Sequence, residues 1–340
     1  MNEASILSVW AEFLVLAGTI AVSGYFLSVY GDIIADRTGL GRSWIGLVLL
    51  ASITSLPELL IGVTSVLGPG VIDIALGDAL GSCVFNLTII VLLDFLYRKE
   101  SVYTKASQGH ILSAGFGIIL LGIVALDLFL AENGEIPAIG HIGLYTFVII
   151  VFYLIAMRTL FRYERDHKLE KVEETAHEYE GITLKTAALR LGAAAAFTIA
   201  AGTRLPYTSE KIAHVMGWGE TFVGSLFVAF TTSLPEIVVT VSALRIGALD
   251  MGIANLFGSN LFDVAIIAVD DLFYFKGPIL AHAAPIHGIT CVSAMLMTGI
   301  AIVGLLYRPK TRVLKTVGWT SIYLLTIYLL NNFLLFLYGK

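Results

Sequence analysis

The sequence predicts an all-α integral membrane protein in which ten transmembrane helices form two inverted five-helix repeats. The chain has 340 residues, of which 57% are hydrophobic and only 14% are charged, and its mean hydropathy is +0.86. Apolar stretches long enough to cross a hydrocarbon core of about 30 Å recur along the whole chain. A helix is the expected spanning element because it satisfies its own backbone hydrogen bonds in lipid. A duplicated motif and an uneven distribution of Lys and Arg predict the inverted repeat.

Ten apolar spans can be placed along the chain from its runs of hydrophobic residues. They lie near residues 6–30, 43–67, 71–95, 108–131, 139–160, 185–208, 219–244, 247–273, 279–306 and 314–338. The most polar stretch, 162–181, separates the fifth span from the sixth, and such a run of charges is typical of a solvated loop. We therefore expect a first repeat over residues 1–161, a loop over 162–183 and a second repeat over 184–340.

Lys and Arg are distributed unevenly between the two sides of this arrangement. Fifteen fall beside the loops after the odd-numbered spans, whereas four fall on the opposite side. The fifteen are Arg37, Arg42, Arg98, Lys99, Lys105, Arg158, Arg162, Arg165, Lys168, Lys171, Arg245, Arg308, Lys310, Arg312 and Lys315, and the four are Arg204, Lys211, Lys276 and Lys340. This bias predicts a multi-pass protein of the plasma membrane with the 162–183 loop in the cytoplasm and both termini outside. Because five is an odd number, the two halves must have opposite orientations, as in the inverted repeats of secondary transporters.

The composition argues against several other classes of protein. Cys83 and Cys291 both lie in apolar segments and indicate neither a disulfide framework nor a Cys-type metal site. The net charge of −5 is small and dispersed, so no nucleic-acid partner is expected. No Ser/His pair or His-Glu-x-x-His motif is present, and we expect neither an enzyme nor a bound cofactor. Membrane lipid is the expected partner; the oligomeric state stays open, and a monomer could suffice.

The most informative feature is a phrase that occurs twice, TSLPE at Thr54–Glu58 and again at Thr232–Glu236. Each copy is followed by a Gly-Ser pair, whose serine is Ser82 in the first half and Ser259 in the second. Within each phrase the Thr and the Glu are four residues apart, so they share one face of a helix. The duplication predicts two equivalent polar segments that meet where the repeats meet.

A polar stripe follows each phrase on the next span. The two stripes have the same i, i+4, i+8 spacing, which places their members on one face of an otherwise apolar helix. They consist of Asp78, Ser82 and Asn86 in the first half and of Asn255, Ser259 and Asp263 in the second. The short connections between the paired spans return each stripe to the depth of the preceding Glu.

A proline precedes the Glu of each phrase, at Pro57 and Pro235. Proline lacks the N–H group and clashes with the carbonyl four residues earlier, so we expect both helices to kink or unwind there. Irregular backbone at this depth is tolerated where it lines a cavity or binds something.

Three carboxylates of these segments have no basic partner in the same spans at similar depths. They are Glu58, Glu236 and Asp263, and each would cost roughly 2.5–3.5 kcal/mol in the membrane. A bound cation is the simplest compensation. Carboxylates, hydroxyls and freed carbonyls are the oxygen ligands that hard cations such as Na⁺ and Ca²⁺ prefer.

The TSLPE, GS-x3-N and GSN-x2-D segments resemble the two repeats of the calcium/cation antiporter superfamily, and the five-plus-five layout resembles its prokaryotic sodium/calcium exchangers. The resemblance implies that Glu58 and Glu236 are central ligands for both Ca²⁺ and Na⁺, flanked by Asn86 and Asp263. It also implies hydroxyl ligands at Thr54, Ser55, Ser82, Thr232, Ser233 and Ser259 and carbonyl ligands at Ala51 and Ala229. Spans one and six would be the mobile pair, and the activity would be exchange of Na⁺ for Ca²⁺ by alternating access.

The chain departs from the family pattern at several positions. Ile53 and Thr231 stand where the family has Gly before TSLPE, and Asp78 stands where it has Asn, which adds a possible fourth acid to the ion-facing stripe. These changes leave the ion choice open: a proton- or potassium-coupled antiporter of the same superfamily is the alternative, and a cation channel a more remote one. Asp94, Asp270 and Asp271 lie toward span ends, and we interpret them as interfacial residues. Of these, Asp94 and Asp271 occupy equivalent positions in the two halves.

Overall fold

The computed structural model describes residues 3–68, 72–134, 136–167, 181–216, 230–313 and 316–338. The predicted ligand Ala229 lies outside these ranges, as does most of the predicted 162–183 loop. The described chain is almost entirely helical, with two short antiparallel β-hairpins between helices. The predicted all-α membrane fold is therefore confirmed.

The first half of the chain contains two uninterrupted long helices, a broken span and a helix pair joined by a hairpin. Its elements are α1 (Glu3–Thr38), α2 (Arg42–Trp44), a π-helical segment (Ile45–Leu50), α3 (Ala51–Thr54), α4 (Leu56–Leu67), α5 (Ile72–Leu96), α6 (Val102–Lys105), α7 (Gly109–Asn133), β1 (Ala138–Ile139), β2 (Ile142–Gly143) and α8 (Leu144–Asp166). The π-helical segment leads through α3 directly to the break in the second span.

The second half repeats this order. Its elements are α9 (Leu184–Met216), α10 (Leu234–Arg245), α11 (Leu249–Phe273), a 3-10 turn (Ile279–His282), α12 (His287–Tyr307), β3 (Arg312–Val313), β4 (Val317–Gly318) and α13 (Trp319–Tyr338). Residues 230–232 are helical directly before α10.

Within the described ranges, nine helices are long and apolar enough to cross a membrane. Residues 230–232 and α10 occupy the place of the predicted seventh span, whose first part lies outside the described residues. With α10 as the described part of span seven, the helices of the described ranges follow the five-plus-five order of the two inverted repeats that the sequence predicts.

Several span boundaries differ from the prediction. α1 and α9 are longer than expected and end at Thr38 and Met216, and α8 continues to Asp166, into the predicted loop. Conversely, spans five, nine and ten begin later, because residues 138–143 and 312–318 form hairpins and residues 279–282 form a 3-10 turn. The two hairpins precede α8 and α13 at equivalent places in the two halves.

Two buried aspartates hold these hairpins in place. Asp271, at the end of α11, accepts hydrogen bonds from Gly143 N (2.9 Å), Tyr145 Oη (2.7 Å) and Thr146 Oγ1 (2.5 Å). Asp94, at the end of α5, likewise accepts from the backbone N of Gly318. Each aspartate thus binds the hairpin of the other half, and both are fully buried structural residues rather than interfacial ones.

α5 and α11 cross the centre of the molecule and run antiparallel. The start of α5 lies beside the start of α12, because Asp73 contacts His287 at 3.0 Å. The start of α11 lies beside the start of α7, because Asp250 contacts His110 at 3.0 Å. These two Asp–His pairs are symmetry equivalents at opposite ends of the helix pair.

Small residues let the central helices approach closely. A side chain at Gly258 on α11 would collide with the backbone of Leu47, and one at Gly46 would collide with the backbone of Met251. Such glycine contacts are typical of helix packing in membranes, where the backbones themselves come together. Through these contacts the π-helical segment packs directly against α11, which positions the break after Thr54 relative to α11.

Candidate functional site

In both TSLPE segments the helix is interrupted at the serine, two residues before the proline. Ser55 has φ −91° and ψ 7°, and Ser233 has φ −86° and ψ 10°, so each leaves the α-helical conformation. The chain then restarts as α4 or α10 with proline in the first helical turn, where its missing N–H is tolerated. The predicted interruption is confirmed in both halves.

The breaks bring the two central glutamates to the start of a helix in the interior. Glu58 and Glu236 lie in the first turn of α4 and of α10, where the helix dipole favours a negative charge. Their residues are 2% and 1% exposed. Ser55 Oγ donates a hydrogen bond to Glu236 Oε1 at 3.3 Å, so the two TSLPE segments meet across the repeats.

The polar stripes of α5 and α11 meet beside them. Asn86 Nδ2 donates to Asp263 Oδ2 at 3.4 Å, and both residues are 1% exposed. Thr54 Oγ1 and Ser259 Oγ are 3.5 Å apart, which links the first TSLPE segment to the stripe of the other half. We call the set Thr54, Ser55, Glu58, Asn86, Thr232, Glu236, Ser259 and Asp263 the candidate ion centre.

Many oxygens of the predicted ligands are buried without a hydrogen-bond partner. Within the described part of the chain, fourteen buried side-chain polar atoms lack one, and seven of these belong to predicted ligands. The seven are Glu58 Oε2, Asp78 Oδ2, Ser82 Oγ, Asn86 Oδ1, Ser233 Oγ, Glu236 Oε2 and Asp263 Oδ1. Buried polar atoms are normally satisfied, and a local concentration of exceptions indicates a group that is bound there.

No Lys or Arg of the described ranges forms an ion pair with Glu58, Glu236, Asp263 or Asp78. The acids also do not form a compact cage, because no three His, Cys, Asp or Glu side chains of the described residues converge as metal ligands. A cation held here would therefore need hydroxyl, amide or backbone oxygens between the carboxylates, which is a donor set suited to Na⁺ and Ca²⁺.

Two further predicted ligands, Ala51 and Asp78, have hydrogen-bond partners within the protein. The Ala51 carbonyl already accepts hydrogen bonds from Ser55 N (3.0 Å) and Thr54 Oγ1 (3.3 Å), so a cation there would compete with them. Asp78 is half-buried and is hydrogen-bonded to Thr232, at the edge of the candidate ion centre.

Sequence reasoning missed two polar contacts of α11 and one buried acid. Asn260 Nδ2 donates to the Cys83 carbonyl at 3.1 Å, and Asn255 Nδ2 donates to Thr240 Oγ1 at 3.3 Å. Asp270, interpreted from the sequence as interfacial, is fully buried, and neither carboxylate oxygen has a hydrogen-bond partner among the described residues. Its position seven residues after Asp263, two turns along the same helix, is the signal that could have found it.

Inverted five-helix repeats with broken helices at their interface are typical of secondary transporters. The family model described as sodium/calcium exchanger protein matches residues 8–159 and 186–337. The chain therefore belongs to the sodium/calcium exchanger protein family, which places it in the calcium/cation antiporter superfamily and makes it a transporter by family and fold.

Individual proteins support the same placement. The chain is 26% identical to the putative antiporter CaxA of Alkalimonas amylolytica, over 75% of this chain and 78% of that protein. It is 23% identical to the Ca(2+)/H(+) antiporter ChaA of Bacillus subtilis, over 74% of each. The structure of the sodium-calcium exchanger NCX_Mj soaked with Na⁺ and Sr²⁺ superposes with a TM-score of 0.71 at 19% identity, covering 96% of this chain and 98% of that chain. At this identity the structural likeness establishes the shared fold.

Proposed function

We propose that the chain exchanges Na⁺ for Ca²⁺ across the membrane by alternating access, with both ions using the candidate ion centre. The observation that carries the proposal is the set of buried, unpartnered oxygens contributed by both repeats around Glu58 and Glu236. Buried carboxylates without a compensating charge are costly, whereas cations bound between them, on hydroxyl, amide and carboxylate oxygens together, offset that cost.

The charge of the centre provides a reason for coupling. With Glu58, Glu236 and Asp263 ionised, the centre carries three negative charges. Three Na⁺ would neutralise them, and one Ca²⁺ would do so if Asp263 carried a proton. An unloaded centre would leave its acids uncompensated in a low-dielectric interior, so the carrier would change sides only when loaded.

The moving part of the proposed cycle is the pair α1 and α9. These helices pack along each other, and Thr198 Oγ1 donates to Ser23 Oγ at 2.7 Å between them. Gly202 on α9 lies against both breaks: a Cβ there would be 2.8 Å from Pro57 Cγ and 3.5 Å from Pro235 Cγ. A sliding helix pair that touches both prolines can expose the centre to either side in turn.

Proton-coupled Ca²⁺ transport is the second candidate function. The observation that favours it is Asp78, an additional acid at the edge of the centre with one unpartnered oxygen. The likeness to a Ca(2+)/H(+) antiporter over most of both chains points the same way.

Radioactive Ca²⁺ uptake into proteoliposomes separates the two candidates. Vesicles loaded with Na⁺ and diluted into Na⁺-free buffer should accumulate Ca²⁺, and the uptake should collapse when Na⁺ is equal on both sides. Uptake that follows an imposed pH difference and ignores Na⁺ would replace the proposal with the proton-coupled one. Vesicles with Glu236→Gln are the control, because loss of a central carboxylate should abolish either form of exchange.

A further inference from the structure

Asp270 is a buried acid that the candidate ion centre does not include. It lies on α11 two turns beyond Asp263, its exposure is 0%, and neither carboxylate oxygen has a hydrogen-bond partner among the described residues. The carboxylate faces the backbone of Gly62 on α4: a Cβ at Gly62 would lie 2.9 Å from its carboxyl carbon and 2.7 Å from Oδ1. Since Gly62 is one turn beyond Glu58, Asp270 lies next to the centre on one side of it.

Asp78 belongs to the same side of the centre. The end of α11 lies beside α4, because Asp270 is packed against Gly62. α5 begins at Ile72, five residues after α4 ends at Leu67, so its start lies at the same membrane face. Asp78 lies five residues after Asp73 on α5 and has an unpartnered buried Oδ2. Its hydrogen bond to Thr232 connects it to the candidate ion centre.

The equivalent positions on the other side of the centre carry no charge. The counterpart of Asp270 is Leu93, and the counterpart of Asp78 is Asn255. Asn255 donates to Thr240, which is the counterpart of Gly62. The opposite route is thus lined by a neutral, hydrogen-bonded pair and a buried leucine, so the two acids break the symmetry of the repeats.

We propose that Asp78 and Asp270 form an acidic station, a cation-binding site between the candidate ion centre and the membrane face at which α4 and α11 end. A fully buried carboxylate without a partner is costly, and a transported cation that pauses there offsets the cost. The space that Gly62 leaves lets the carboxylate approach α4 one turn from Glu58, where the cation would next bind. The inference rests on the proposed function and adds to it a difference between the two membrane faces: cations that enter from this face bind more tightly than cations that enter from the other.

Transport measured separately from each face tests the station. Right-side-out and inside-out membrane vesicles carrying the chain give the apparent KM for Ca²⁺ at the two faces. Asp270→Asn removes the charge with little change of shape, and we expect it to raise the KM about tenfold at the station's face and by less than about twofold at the other. Gly62→Ala keeps every charge but displaces the carboxylate, and it should raise the KM at the same face.

Asp127→Asn is the matched control. Asp127 is a half-buried acid on α7, in the half of the membrane that contains Asp270, and its neutralisation should leave both KM values unchanged. Equal KM shifts at both faces, or none, for Asp270→Asn in a correctly folded protein would overturn the station. Folding is checked by the elution profile and melting temperature in detergent. Absence of exchange by the unmodified chain would refute the proposed function. An unmodified chain that exchanges, together with an Asp270→Asn variant whose KM values are unchanged, would refute only the acidic station.

Discussion

Glu58→Gln is the substitution whose effect follows most directly from burial. Glu58 is 2% exposed, Oε2 has no hydrogen-bond partner, and no basic residue of the described ranges compensates its charge. Removal of one partner from a buried charge pair costs about 3–5 kcal/mol. If Ca²⁺ is the charge that Glu58 pairs with, the Kd for Ca²⁺ should rise by about two to four orders of magnitude in Glu58→Gln.

Glu12→Gln is the matched control for this change. Glu12 also contacts a cation, Arg204, at 3.0 Å, but the two side chains are 35% and 55% exposed. Exposed pairs contribute about 0–1 kcal/mol, so the loss of this one should leave Ca²⁺ binding unchanged.

Isothermal titration of the detergent-purified variants with Ca²⁺ measures both effects. The reasoning predicts a large loss of affinity for Glu58→Gln and none for Glu12→Gln. A Glu58→Gln protein that is folded and binds Ca²⁺ within about threefold of the unmodified Kd would refute the assignment of Glu58 as a central ligand.

Three further predictions concern movement, architecture and ligand linkage. Gly202→Val should slow exchange but preserve Ca²⁺ binding, because the new side chain collides with Pro57. Gly192→Val, on the same helix with open space around it, should transport normally. Equal transport rates for the two variants would contradict the role of α9. Asp271→Asn weakens the anchoring of the hairpin before α8 and should destabilise the fold by about 3 kcal/mol, seen as a lower melting temperature, whereas an unchanged melt would contradict the structural role. Ca²⁺ at 100 times its Kd should stabilise the folded chain by about 2.7 kcal/mol and so raise its melting temperature. Chelation of Ca²⁺ should reverse this rise, and Glu236→Gln should prevent it. A melting temperature insensitive to Ca²⁺ would argue against a bound ion.

The sequence predicted the repeat and its breaks because their causes are local. Pro57 and Pro235 remove a backbone N–H wherever they stand in a helix. The odd number of spans in each half fixed the inversion without reference to any contact. These features need no knowledge of how the helices pack.

The hairpins before α8 and α13 could not be predicted in the same way. Residues 138–143 are mostly small or apolar and read as a continuation of the following span. Their hairpin depends on a distant anchor, because Gly143 N bonds to Asp271 from the other half of the chain. For the same reason Asp271, near a span end, was interpreted as interfacial although the fold buries it.

Asp270 shows the same limit at the site. Its place at the end of an apolar span suggested a residue near the lipid headgroups. Only the packing of α11 against α4 brings it beside Gly62, where the missing side chain leaves room for a carboxylate. The spacing from Asp263 places Asp270 on the same face of the helix, but the contact with Gly62 involves a residue without a side chain and could not be predicted from the sequence.

The central claim is that Na⁺ and Ca²⁺ share one set of buried oxygens. Equilibrium binding of radioactive Ca²⁺ to the purified chain at increasing Na⁺, with ionic strength held constant by choline, tests it most directly. The account predicts that Na⁺ displaces Ca²⁺ completely and cooperatively, because several Na⁺ are needed to neutralise Glu58, Glu236 and Asp263. Ca²⁺ binding that is indifferent to Na⁺ while exchange persists would contradict it, because the two ions would then occupy separate sites.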